Sequence, residues 1–86
     1  MTWLLKYSET AEKQLSKLDR GVARDVKKFM AEVCDLKDPA VRGHPLSGPL
    51  AGLHTYRIGQ IRIIVQIERN IVRVSVVKID RRDSAY

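Results

Sequence analysis

Apolar residues recur along this chain with two different periods, and the change of period divides it. Thr2 to Tyr7 (TWLLKY) is a short aromatic and aliphatic run that predicts a first strand. Ser8 then offers an N-cap, with Glu9 and Glu12 in the following turn, where negative charge suits the positive end of a helix dipole. Ala11, Leu15 and Leu18 fall on one helical stripe while Lys13 and Lys17 lie off it, so a first helix is expected to end near Leu18. Asp19-Arg20-Gly21 breaks that stripe, and Asp19 stands where it could cap a second helix. In that helix Val22, Val26, Phe29, Met30 and Val33 follow at i, i+4, i+7, i+8 and i+11, opposite Arg24, Asp25, Lys27, Lys28 and Glu32. This is a strong amphipathic pattern, expected to run to about Leu36. So short a break between two helices predicts a helical hairpin.

Asp38 to Gly52 (DPAVRGHPLSGPLAG) holds all three prolines and three of the five glycines. It reads as a loop with one helical turn around Pro49 to Ala51. Beyond it the period becomes two. Leu53 to Ile58 precedes Gly59-Gln60; Ile61, Ile63, Val65 and Ile67 then alternate with Arg62, Ile64, Gln66 and Glu68. Arg69-Asn70 is expected to be a two-residue turn into a β-branched run, Ile71 to Ile79. The order is β-α-α-β-β-β. Segregated strands and helices predict an α+β fold, with a two-helix hairpin packed on a small, mainly antiparallel sheet.

Composition narrows the picture further. With 86 residues, 44% of them apolar, the chain is expected to fold as a single domain spanning 1–86. One cysteine, Cys34, allows neither an internal disulfide nor a zinc cluster and fits a reducing compartment. The apolar start is broken by Lys6 and Ser8, and no later stretch approaches a membrane span, so a cytoplasmic protein with no membrane association is expected. Charge is uneven. Up to Asp38 there are 8 Lys/Arg against 7 Asp/Glu, and from Pro39 onward 8 against 3. The positive field of the second half suits phosphate backbones or acidic protein segments.

Familiar catalytic motifs are missing: there is no HExxH, CxxC, Walker-type glycine loop or GxSxG. A histidine acid/base pair would need both His44 and His54, one from a loop and one from a strand. Cys34 sits by the apolar stripe of the second helix and reads as a core residue. The arginines stand out. Arg57 and Arg62 flank the Gly59-Gln60 turn, and Arg81 and Arg82 follow the final strand, with Tyr86 shortly after. If the helices cover the Ile61/Ile63 side, Arg62 emerges on the open face and Arg57 can lie beside it across the hairpin. Such a face can stabilise the charge that builds on phosphoryl oxygens when an RNA 2′-hydroxyl attacks its own phosphate. A tyrosine can stack on a base or exchange a proton, though its ordinary pKa near ~10 makes it a poor base unless arginines lower it. The plainer reading leaves these arginines solvated or paired with Asp80, Asp83 and Glu68.

Three segments carry a resemblance to a known family: LSGPLAGL (46–53), YRIGQIRII (56–64) and VKIDRRDSAY (77–86). With the opening SETAEKQLSKL, they resemble the RelE/ParE toxin superfamily, and within it the RelE branch, over essentially the whole chain. The resemblance implies the fold read above and a toxin of a type II toxin–antitoxin pair. It implies metal-independent cleavage of mRNA in the ribosomal A site, with no cofactor, through 2′-hydroxyl attack and a cyclic phosphate product. Carried over, Arg57 matches a basic residue before the hairpin turn, and Arg62 matches the arginine expected on the scissile phosphate. Arg81 matches the tail arginine that stabilises the transition state or protonates the leaving group, and Tyr86 the C-terminal tyrosine. Arg82, Lys78 and His54 are the flanking candidates for holding the RNA. The chain departs from many relatives in Gly59, in Ile79-Asp80 before the tail arginine, and in ending at Tyr86. The resemblance also implies a cognate acidic antitoxin, with operator DNA reached only through it. Two other readings remain: a ParE-like toxin of the same fold that inhibits DNA gyrase, and a non-catalytic basic binding module.

Overall fold

The computed structural model describes residues 2–81. Strand β1 (Leu4–Tyr7) leads into helices α1 (Glu9–Ser16) and α2 (Arg20–Cys34). A 3₁₀ turn (Pro39–Arg42), strand β2 (His44–Pro45) and a second 3₁₀ turn (Gly48–Leu50) follow. Strands β3 (His54–Ile58), β4 (Ile61–Glu68) and β5 (Arg73–Arg81) complete the described chain. The five strands form one sheet in the order β1-β5-β4-β3-β2. β1 runs parallel to β5 and the remaining pairs are antiparallel. The α+β architecture expected from the pattern is therefore present, with the helical pair on one face of the sheet.

The stripe on α2 is what holds the layers together. Val26, Met30 and Val33 are fully buried, and they join Ala11 and Leu15 of α1 in one cluster. From the sheet, Tyr56, Ile61, Ile63, Val65, Val74, Val76 and Ile79 complete it, so the non-polar surface withdrawn from water is shared by every layer. Cys34 is buried and free, as its position beside the stripe suggested. Burial pushes its thiol pKa up, and neighbouring Asp35 adds to the effect, which lowers the share of reactive thiolate.

Ser8 caps α1: its hydroxyl accepts from Ala11 N at 3.0 Å and donates to the Val77 carbonyl at 2.8 Å. Asp19 occupies the N-cap position of α2 but its side chain makes no capping bond, contrary to the expectation; Ala23 N bonds the Asp19 carbonyl instead.

β5 contains an irregularity that the alternation of residues did not reveal. Val65 pairs with Val76, but Ile64 pairs with Lys78, which leaves Val77 as an extra residue. β1 stops pairing at Tyr7, opposite Val76, and α1 takes over its role at the edge. Ser8 serves the Val77 carbonyl, and Gln14 Oε1 accepts from Ile79 N at 2.6 Å. The bulge exchanges the faces of β5: Val74 and Val76 point to the helices before it, Ile79 and Arg81 after it.

The turns differ in one respect from expectation. Gly59-Gln60 is a two-residue turn with Gly59 at φ +55°, the left-handed position that a type II′ hairpin gives to glycine. The β4–β5 connection spans Arg69 to Val72, not Arg69-Asn70 alone, so β5 starts at Arg73 and Ile71 lies in the turn. The loop from Asp38 is more ordered than a Pro/Gly-rich run suggested. Asp38 Oδ1 accepts from Ala40 N and from Arg69 Nη2, both at 3.0 Å, and the buried Tyr56 hydroxyl donates to the Pro39 carbonyl at 2.7 Å. So held, the loop lays His44 and Pro45 beside β3 as the fifth strand.

Candidate functional site

The β3–β4 hairpin sets Arg57 and Arg62 directly opposite each other. A two-residue turn closes on a hydrogen-bonded pair, here Ile58 and Ile61, so the next pair is of the non-bonded kind, whose Cα atoms approach to about 4.5 Å. Ile58 and Ile61 face the helices, and alternation therefore puts both arginines on the face opposite the helices. Like charges in direct cross-strand register disfavour the fold. Nothing among the described residues relieves them: Arg57 and Arg62 make no hydrogen bond or ion pair there. Arg62 is half-buried, and its Nε is fully buried without a partner. Thr55 Oγ1, one row away on the same face, is buried and unpartnered as well.

Other described cations of the second half have partners. Arg42 meets Glu32 at 3.6 Å, Arg69 meets Asp38 at 3.0 Å, and Arg73 makes a two-pronged contact with Glu68 at 2.8 and 3.0 Å. The guanidinium of Arg73, with the Ser75 hydroxyl, holds the Glu68 carboxyl down to about 2. Arg81 also has an interaction partner. Among the described cations of the second half, the pattern sets Arg57 and Arg62 apart.

The remaining candidates divide between the two faces. Lys78 lies on the open face opposite Ile64, one row from Arg62, and its Nζ is 3.5 Å from Asp80 Oδ2. Asp80 is the cross-strand neighbour of Arg62 on β5. Arg81 belongs to β5 itself rather than following it, and it pairs with the buried Ile61. Its side chain lies on the helix side, where it lines a hollow of about 260 Å³ with Leu18, Asp19, Val22 and Asp25. His54 pairs with the buried Val65 and also lies on the helix side, near Asp38. Neither Arg81 nor His54 therefore shares the face of Arg57, Arg62 and Lys78. Arg82 and Tyr86 lie outside the described residues. Sequence reasoning missed Asp80's register opposite Arg62 and Thr55's place beneath the pair; the first depends on the bulge at Val77.

Neither of the described tyrosines is suited to proton transfer. Burial pushes the Tyr56 hydroxyl up to about 12, and its proton is engaged by Pro39. Burial also raises Tyr7. Among the described residues no group of three His, Cys, Asp or Glu side chains is arranged to hold a metal ion, and no helix is long and apolar enough to cross a membrane.

A helical hairpin on one face of a mixed five-stranded sheet matches the fold of solved RelE structures. The model of the ParE toxin of type II toxin–antitoxin systems matches residues 5–86, and the chain belongs to that family. Toxin RelE of Mycobacterium tuberculosis (strain ATCC 25618 / H37Rv) is 32% identical over 77 residues, 90% of this chain and 78% of that one. The fold is similar to that in the toxin–antitoxin complex RelBE2 of M. tuberculosis: TM-score 0.87, 25% identity, 95% of this chain and 93% of the other. It is also similar to a mutant of E. coli toxin RelE in the free state: TM-score 0.79, 24% identity, covering 99% and 88%. The archaeal RelE-RelB complex of Pyrococcus horikoshii has TM-score 0.76 at 22% identity, covering 99% and 100%. This is a type II toxin of the RelE/ParE superfamily.

Proposed function

We propose that this toxin is an endoribonuclease that cleaves mRNA in the ribosomal A site through attack of a 2′-hydroxyl on its own phosphate. The observation that carries this reading is the Arg57/Arg62 pair, set face to face on the open sheet with no carboxylate between them among the described residues. A phosphate oxygen is a natural acceptor for the buried Arg62 Nε, and two guanidinium groups fixed by a hairpin are preorganised for the charge of a pentacovalent phosphorane. Arg62 is assigned to the scissile phosphate and Arg57 to the same or the adjoining one. Because Arg81 turns to the helices, Arg82 is the better candidate for the arginine at the leaving group, and Tyr86 for stacking or proton transfer. No metal or cofactor takes part in this mechanism. The site lacks a strong base, so the ribosome is assigned the task of arranging the mRNA for in-line attack.

The partner in this reading is a cognate acidic antitoxin that screens the arginine face, as suggested by the relatives solved as toxin–antitoxin complexes. Operator DNA would be bound through that antitoxin, and the cytoplasm would be the site of action.

The ParE family match supports a second reading, gyrase inhibition by the same fold. Toeprinting of an mRNA on programmed ribosomes separates the two. Wild-type chain should cut at A-site codons, while Arg62→Ala and Tyr86→Ala should each lower the cutting rate at least a hundredfold. Absence of cuts from folded wild type, with inhibition of gyrase supercoiling, would replace the nuclease by the ParE-like reading; inactivity in both assays would leave a binding module.

A further inference from the structure

Arg62 has two neighbours in its row of the sheet, Arg57 on β3 and Asp80 on β5. An aspartate directly across from an arginine is the ordinary way to neutralise it, because Cβ atoms of such a pair lie about 5 Å apart. The pair is nevertheless not formed among the described residues. Asp80 instead turns along its own strand to Lys78, two residues away on the same face, where Oδ2 and Nζ lie 3.5 Å apart. Asp80 is the more enclosed partner, with 29% of its side chain exposed against 51% for Lys78. The Val77 bulge makes this possible: without the extra residue, Lys78 and Asp80 would point to the helices.

We propose that Lys78 is a positioning residue whose task is to hold Asp80 away from Arg62. It acts on RNA through Asp80 rather than by touching phosphate itself. Without the ammonium group, the Asp80 carboxylate swings across the strand and occupies Arg62, competing with the RNA phosphate for the same guanidinium. The inference rests on the reading of Arg62 as a phosphate ligand, and it alters the role first expected for Lys78, that of a substrate-binding residue.

The test is a mutant cycle on the full chain freed of its partner, with a fluorescently labelled single-stranded RNA decamer as probe and anisotropy as readout. Lys78→Met keeps the aliphatic stem, and Asp80→Asn keeps the shape. Lys78→Met should weaken binding about fivefold and Asp80→Asn tighten it about threefold, the scale of a partly exposed ion pair. The double variant should match Asp80→Asn, since Lys78 has nothing left to restrain. A direct phosphate contact from Lys78 gives a different result: Lys78→Met costs the same factor in both backgrounds and lowers the salt slope by about 0.7 in each. That outcome overturns the proposal, as does a Lys78→Met chain that binds like wild type. A second measurement needs no RNA. NMR titration of the Asp80 carboxyl in Lys78→Met should reveal a new cationic partner, and adding Arg62→Gln should abolish it. Wild type that binds no RNA, with that Arg62 dependence intact, would refute the phosphate reading and leave the Lys78–Asp80–Arg62 relay standing. Loss of the Arg62 dependence would refute the relay itself.

Discussion

Replacing one arginine of the Arg57/Arg62 pair should stabilise the fold while damaging the proposed function. The two side chains share one row of the open face, and among the described residues no carboxylate intervenes. With guanidinium groups about 6 Å apart, Coulomb repulsion in water is about 0.7 kcal/mol. Salt at ~0.15 M, with a Debye length of about 8 Å, roughly halves this, and at ~0.01 M most of it survives. Half-burial of Arg62 raises the figure somewhat, which keeps the estimate inside the roughly 0.2–1 kcal/mol range of cross-strand pairs. Arg57→Gln should therefore raise unfolding free energy by about 0.5–1 kcal/mol at low salt and about 0.3 kcal/mol at physiological salt. The assay is urea denaturation at both ionic strengths for Arg57→Gln, Arg62→Gln and the double variant, with unchanged m-values as the check on two-state behaviour. The coupling term must be repulsive and must shrink with salt. If either single variant loses more than about 0.5 kcal/mol at low salt, the arginines serve the fold, and the argument from their unfavourable juxtaposition fails.

Other consequences follow from groups away from that pair. Tyr56→Phe leaves the Pro39 carbonyl without its 2.7 Å donor in a fully buried position; the loss should be about 1–3 kcal/mol, read as a lower urea midpoint. Glu68 has its folded pKa depressed to about 2 by Arg73 and Ser75, so its contribution is complete above the ordinary carboxylate value and fades as pH falls from about 4.5 toward about 2. Acid unfolding of Glu68→Gln should lack that component, and a wild-type and variant profile of identical shape would contradict it. Met30→Ala, at the centre of the α2 stripe with no exposed surface, should cost about 2–5 kcal/mol, read as a lower urea midpoint, and leave the proposed mRNA cleavage per folded molecule unchanged.

Much of this fold could be read from period alone because the burial it creates is one-sided. The i, i+4, i+8, i+11 stripe of Val22, Val26, Met30 and Val33 has one packing solution, and the alternation of Ile61, Ile63 and Val65 has one buried face. The Arg57/Arg62 register followed from the two-residue turn, since Gly59 can take the left-handed angle that a tight hairpin needs. What escaped was structure without a period. His44–Pro45 is two residues long, and its strand exists because Asp38, Pro39 and Tyr56 hold the loop against β3. The β-branched run through Val76 and Val77 gave no sign of which residue would be extruded, so the faces of Lys78, Asp80 and Arg81 were open. The bulge fixes them through the hydrogen bond that Ser8, nearly seventy residues earlier, makes to Val77. Such a contact is invisible to any local window.

β5 lies between β1 and β4, yet of the described elements it is the last to be synthesised. A growing chain therefore has its helices, its first strand and the β3–β4 hairpin before it has the strand that joins them. Among the described residues β1 has no strand partner other than β5, and β5 is what brings Asp80 into register with Arg62. At a translation rate of about 5–20 residues per second, this sets an interval of seconds in which the chain exists but its sheet does not.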